Sequence, residues 1–305
     1  PRRRRRSPGR HQMGDSRKSA LLGLEDTVLL WSPWYSLSGA SRNQDIPRAP
    51  GLYRIRRVDI PGLDYVGQTG VLRQRMGNLN NVYGDVMPYN SPHTAGPGVW
   101  ALRQDHDCEF EVSVAEVPGG AAVRKGIECL IISEHRVEHG RSPTLSFGRM
   151  PDGWTKSSDN TARLVAAGRR HRGQRDPNAT RVLDAPPPAS LMGDPRAGSW
   201  LGHRWISAAE TPPSANSVGL YRSIRLDGEG LVYVGQGRIA DRINSHVAKG
   251  EDHDHSQHRF FAGNLTWDWV DLPEIDRTQL LELENDLIAS HVRVYGRTPS
   301  AQFLG

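Results

Sequence analysis

Two sets of residues in this 305-residue chain match in type and in spacing. The first is Gly51-Leu52-Tyr53 followed by Tyr65-Val66-Gly67-Gln68. The second is Gly219-Leu220-Tyr221 followed by Tyr233-Val234-Gly235-Gln236, and in both the two tyrosines stand 12 residues apart. An arginine comes next, Arg75 or Arg242, and further on a glutamate, Glu128 or Glu284. Gly140-Arg141-Ser142-Pro143 and Gly296-Arg297-Thr298-Pro299 each begin 12 residues after their glutamate. An arginine fork suits a phosphate oxygen. Mg²⁺ is often content with one or two protein carboxylates, so one glutamate per set is chemically sufficient. A phenol with a pKa near 10 is a poor base unless nearby positive charge favours its ionised form. Together these groups could carry phosphodiester hydrolysis, which needs an activated water, neutralised phosphoryl oxygens and a stabilised leaving oxygen.

A repeat of this size means two copies of one domain. In the first copy Leu52–Arg56 and Tyr65–Val66 read as short strands around a Pro61-Gly62 turn. A helix is expected over Leu72–Leu79, a third strand over Phe110–Ala115, and a helix over Ala121–His139 whose apolar residues share one face. The second copy repeats the order: Leu220–Arg225, Leu231–Val234, a helix over Ile239–Ala248, a strand near Thr266–Val270 and a helix over Arg277–Val294. Apolar lead-ins at Val28–Trp34 and Trp200–Ile206 belong to the repeat. These elements give an α+β chain of two tandem modules, each a small, mainly antiparallel three-stranded sheet flanked by helices. The boundaries are a disordered basic tail at 1–20, module one at 21–155, a basic Pro-containing linker at 156–198 and module two at 199–305. The extra stretch Gly84–Trp100 of module one reads as an inserted loop, where specificity or mere tolerance of insertion would sit.

The ordered series Gly-x-Tyr, Tyr-x-Gly, Arg, Glu, Pro, found twice, resembles the GIY-YIG nuclease family in GLY and YVG spelling. The resemblance covers roughly residues 45–147 and 213–303. It implies a Mg²⁺- or Mn²⁺-dependent endonuclease with Glu128 and Glu284 as metal ligands. It also implies that Tyr53, Tyr65, Tyr221 and Tyr233 handle the proton of the attacking water while Arg75 and Arg242 take the phosphate. The products would carry a 5′-phosphate and a 3′-hydroxyl. The family commonly has a histidine or tyrosine four residues after the arginine. Module two has His246 there and module one has Leu79, unless His93 of the inserted loop compensates. Where the family often has an asparagine after the closing proline, the chain has Ser146 and Gln302, of which Gln302 is the better substitute.

Composition bounds the rest. Net charge is +5, but residues 1–18 carry eight Lys/Arg against one Asp and residues 156–198 carry eight against four, while both modules are mildly acidic. Flexible basic segments hold polyanions by counterion release, and Arg169, Arg170 and Arg172 are the linker's candidate phosphate contacts. A solubilising tail reads equally well, and Met13 leaves Pro1–Gln12 open as upstream sequence. Two cysteines, Cys108 and Cys129, exclude a disulfide scaffold or a cysteine-built zinc site and make the cytoplasm the default compartment. No apolar run is long enough to span a bilayer. Three histidines and three acids gather over Glu251–His258, as a polar surface loop or a second metal site.

The leading expectation is thus a DNA endonuclease working as a monomer through an internal pseudo-dimer, a geometry suited to restriction or phage-defence cleavage. Three alternatives stand beside it: a nucleic-acid-binding protein with a degenerate module, a structure-specific repair nuclease, and a fold recruited to non-nucleic-acid chemistry.

Overall fold

The computed structural model describes residues 29–89, 95–157, 162–169 and 171–304. The basic tail, His93 and Arg170 lie outside the described residues. Module one runs β1 (Tyr35–Ser36), β2 (Gly51–Arg57), β3 (Tyr65–Thr69), α1 (Leu72–Leu79), α2 (Gly96–Asp105), β4 (Phe110–Glu116) and α3 (Ala121–His139). After β5 (Trp154–Thr155), α4 (Ala162–Ala166) and β6 (Gln174–Arg175) come the short strands β7 (Ser199–Trp200), β8 (His203–Arg204) and β9 (Ile206–Ser207). Module two then runs β10 (Val218–Arg225), β11 (Leu231–Arg238), α5 (Ile239–Glu251), α6 (His258–Phe261), β12 (Leu265–Asp271) and α7 (Arg277–Tyr295).

Each module is built on an antiparallel four-stranded sheet, ordered β1-β4-β2-β3 in the first and β9-β12-β10-β11 in the second. The expected three strands gain a fourth because each lead-in adds a two-residue edge strand. The register matches too: Tyr53 faces Gly67 across one hairpin and Tyr221 faces Gly235 across the other. Alternation along the central strand sends Tyr53 and Ile55 into a core with α1 and α2, and Leu52 into a second cluster with Ile127 of α3. In β10, Tyr221 packs with Ile239 and Ile243 of α5, while Leu220 and Ile224 pack with Leu283 and Leu287 of α7. Each such buried aliphatic side chain contributes roughly 1.5–3 kcal/mol. Both long helices stop at a left-handed glycine, Gly140 at φ 69° and Gly296 at φ 64°, where only glycine escapes the Cβ penalty.

Two expectations are corrected. The second half of the Gly84–Trp100 insertion is not a specificity loop but the start of α2, and Gly96 through Leu102 are all buried. Its Gly-Pro-Gly sequence reads as a turn, yet proline is tolerated in a first helical turn because its missing N–H has no partner there anyway. The 156–198 segment is also more than a connector. The β5–β6 hairpin folds it back on module one, and Ala185 and Leu191 are buried.

The modules meet along α3 and α7. Fully buried Arg136 pairs with Glu282 at 2.8 Å and with Asp286 at 3.1 Å. Ser133 donates to Asp286 at 2.7 Å, and Arg149 pairs with Glu282 at 2.9 Å. The 156–198 segment joins this network: Ala185 N–H donates to Glu282 at 2.6 Å, and its carbonyl accepts from Arg136 at 3.0 Å. No helix among the described residues is long and apolar enough to cross a membrane.

Candidate active site

In module two the sheet and α5 bring together the residues singled out by spacing. Tyr221 and Tyr233 come from neighbouring strands, and their rings lie 6.0 Å apart. Gly235 makes this possible: a Cβ there would sit 2.3 Å from the Tyr221 hydroxyl. Gly67 does the same in module one, where a Cβ would come within 2.6 Å of the Tyr53 ring and hydroxyl. The Tyr-x-Gly half of the motif is therefore a packing requirement set by the tyrosine of the Gly-x-Tyr half.

Arg242 and His246 are four residues apart on α5 and so share a face. Arg242 Nε–H donates to Tyr221 Oη at 3.3 Å, and Tyr221 Oη lies 3.2 Å from His246 Nε2. With the imidazole proton on Nδ1, Tyr221 donates to His246 Nε2; with it on Nε2, His246 donates to Tyr221 Oη. Tyr233 hydrogen-bonds both Tyr221 and Arg242. His246 is buried among the rings of Tyr233, Phe261 and Trp267, and its Nδ1 has no partner. Burial pushes the imidazole down to about 4, with Lys249 and Arg242 adding to the effect, so His246 is neutral at pH 7.

Glu284, on α7, shares a cavity of about 360 Å³ with Tyr233, Arg242, His246, Lys249 and Gln302. Loss of surrounding water pushes its carboxyl up to about 7 against the opposing charge of Arg242. Glu128 behaves alike in module one, pushed up to about 7 by burial against Lys125 and Arg75. Positive charge near Tyr221 does not favour its ionised form overall, because burial dominates and raises its pKa above the ordinary value. Burial raises Tyr53 well above the ordinary value as well.

In module one Tyr53 hydrogen-bonds Tyr65, and the charges of Arg75 and Glu128 both act on Tyr53. The tyrosine pair, arginine and glutamate thus converge there too, but Leu79 points into the apolar core and is 1% exposed. Gln302 lines the Glu284 cavity, although its Oε1 is engaged by the Val234 N–H at 3.2 Å. Arg169 and Arg172 are exposed and line neither glutamate's cavity. Among the described residues no three His, Cys, Asp or Glu side chains stand together as a metal cluster, and this includes those of the 251–258 loop.

Sequence reasoning missed several cations. Lys249 lies three residues after His246 and Lys125 three before Glu128, so helical periodicity marks both. It also missed His135 and His291, each seven residues after its glutamate. His135 Nε2 accepts from Leu63 N–H at 2.8 Å and its Nδ1 faces the Arg141 carbonyl at 3.0 Å. His291 does the same with Leu231 at 2.9 Å and Arg297 at 2.8 Å. Each ties the central hairpin to its closing turn. Compared with known proteins, the chain matches no family model, no curated protein and no solved structure.

Proposed function

We propose that the chain is a divalent-metal-dependent endonuclease that hydrolyses phosphodiester bonds in DNA, with the Glu284 cavity as its working site. One observation carries this reading: the Tyr233–Tyr221–His246 chain of hydrogen bonds, steered by Arg242, opens onto the cavity that Glu284 lines. The donor set fits Mg²⁺ or Mn²⁺. Glu284 offers a hard oxygen, and Arg242, Lys249 and Lys125 on the same cavity suit a phosphate that supplies others. The bound ion would polarise the phosphate and stabilise the departing oxygen.

The protein's own groups then divide the proton work. Tyr233 is the partly exposed phenol, and Tyr221 behind it is fully buried. Water gives its proton to Tyr233 Oη as Tyr233 passes its own to Tyr221 and Tyr221 passes its own to His246 Nε2. No phenolate has to persist in this relay, which accommodates the raised tyrosine pKa values. Arg242 holds Tyr221 through Nε, and its guanidinium lines the cavity where a phosphate oxygen would sit.

Module one favours a second role. With Leu79 in the core, no acceptor stands behind its tyrosine pair among the described residues, and module one would bind the substrate without cutting it. A monomer with one cutting and one holding module, acting in the cytoplasm in restriction or phage defence, is the setting this suits. Supercoiled plasmid incubated with Mg²⁺ or Mn²⁺ tests the reading: nicks with 5′-phosphate and 3′-hydroxyl ends are expected, and Glu284→Ala should remove them. Equal nicking by the Glu284→Ala variant would end it.

A further inference from the structure

A second cavity, of about 610 Å³, lies against Glu128, and a third of its lining residues come from module two. Module one contributes Tyr65, Lys125, Glu128 and the turn Ser146–Gly148, with Lys156 just beyond. The first two residues of α7, Arg277 and Thr278, close the other side, with Asn285 two turns on. Three cations therefore meet a single carboxylate.

None of the three has an ion-pair partner among the described residues. Lys125 rests against the Phe303 ring, 5.2 Å from its centre, and its charge acts on Glu128. Three cations around one carboxylate favour an anion in the pocket. A second, independent sign is Ser146, which is 2% exposed, lines the cavity, and has a hydroxyl with no hydrogen-bond partner. A buried unmatched hydroxyl costs free energy until something bonds to it.

Lys125 and Phe303 also line the Glu284 cavity, so the two cavities share a wall. Phe303 and its counterpart Phe147 are both held at positive φ, 61° and 59°, a conformation phenylalanine rarely adopts. Backbone strain at matched positions beside two cavities is the kind that surrounding structure must enforce.

We infer that the Glu128 cavity, completed by Arg277 of the other module, is a phosphate-binding site continuous through Lys125 with the Glu284 cavity, so that one phosphate-bearing chain occupies both. This rests on the proposed function for the second half of the path but not for the site itself. The shared chemistry is a phosphate group, and its source is either a nucleic-acid backbone or a small phosphate compound.

The test uses the full chain in metal-free buffer, which separates binding from cutting. The variant is Lys156→Ala with Arg277→Ala, both exposed residues; Arg204→Ala with Arg259→Ala is the charge-matched control. Anisotropy of a labelled single-stranded oligonucleotide should show about tenfold weaker binding for the variant, and a salt slope smaller by roughly 1–2, as expected for two lost phosphate contacts. The control should stay within twofold of wild type. Calorimetry with inorganic pyrophosphate identifies the source: pyrophosphate bound by wild type and lost in the variant, with oligonucleotide binding unchanged, keeps the site and assigns it to small phosphates. Equal losses in variant and control, or no loss of either ligand, would overturn the site. Loss of oligonucleotide binding in a protein that never nicks plasmid would sink the nuclease reading and leave the site standing.

Discussion

Tyr221 illustrates how much a single residue's surroundings decide. A phenol beside an arginine is a candidate base on paper, but burial raises its pKa and makes it a carrier within a relay ending at His246. His246→Gln should then lower the cleavage rate by about 10²–10⁴, the usual cost of a lost proton acceptor. Tyr221→Phe should match it, and combining the two should cost little more, since both remove the same path. Steady-state rates on an oligonucleotide check this; additive losses would show that the two act separately. Glu284 sets the pH dependence. Its carboxyl loses its proton near pH 7, so metal-supported activity should climb about tenfold per pH unit below 7 and level off above it. Glu128→Ala should keep much of the nicking, since Leu79 stands where module two has His246.

At the level of elements, the recurring fastening is a histidine on the long helix that holds the hairpin and the closing turn together. His135 and His291 each use one ring nitrogen to accept from the hairpin and the other to donate to the turn, which requires the neutral ring. Burial pushes both down to about 4 from the ordinary 6.5. Between pH 6.5 and 4 the unfolded chain therefore takes up protons that the folded chain refuses. Their contribution is fully present above pH 6.5 and is lost as pH falls through 4. Glu128 and Glu284 run the other way: their folded values near 7 lie above the ordinary 4.5, so the folded chain loses stability as pH rises between the two. His291→Gln should cost about 1–3 kcal/mol at pH 7.5 by leaving a buried group unmatched. It should also shrink the stability drop between pH 6.5 and 5 in urea titrations. An unchanged drop would place the acid sensitivity elsewhere.

For the whole molecule, the decisive feature is that two similar halves are not independent. Arg136, Glu282, Asp286 and Arg149 form a charged network with almost no solvent contact between α3 and α7, and the 156–198 segment is hydrogen-bonded into it. Removing one partner from such a network leaves a buried charge uncompensated, a loss of roughly 3–5 kcal/mol. Glu282→Ala should therefore lower the thermal midpoint of the entire chain. Calorimetry of wild type should show one cooperative transition over the described modules. Two resolved transitions, with only one moved by the substitution, would mean that the modules fold separately.

The α+β character, the matched order of strands and helices and the convergence of Tyr221, Tyr233, Arg242 and His246 were legible in the sequence because each depends on local spacing. Strands of period two, a long helix ending at Gly140 or Gly296, and tyrosines a fixed distance apart are set by backbone geometry within one module. The boundaries of α1 and α3 follow for the same reason. What the tertiary structure alone decided are relations between residues far apart in the chain. Arg136 and Glu282 are both unremarkable helix residues in sequence, and only the packing of α3 on α7 removes water from them. Arg277 belongs to module two by position and to the Glu128 cavity by contact. The pKa of Tyr221 depends on how much water its neighbours displace, which no spacing encodes. Local chemistry is carried by residue type and period, whereas desolvation and the pairing of distant charges exist only once the chain has folded.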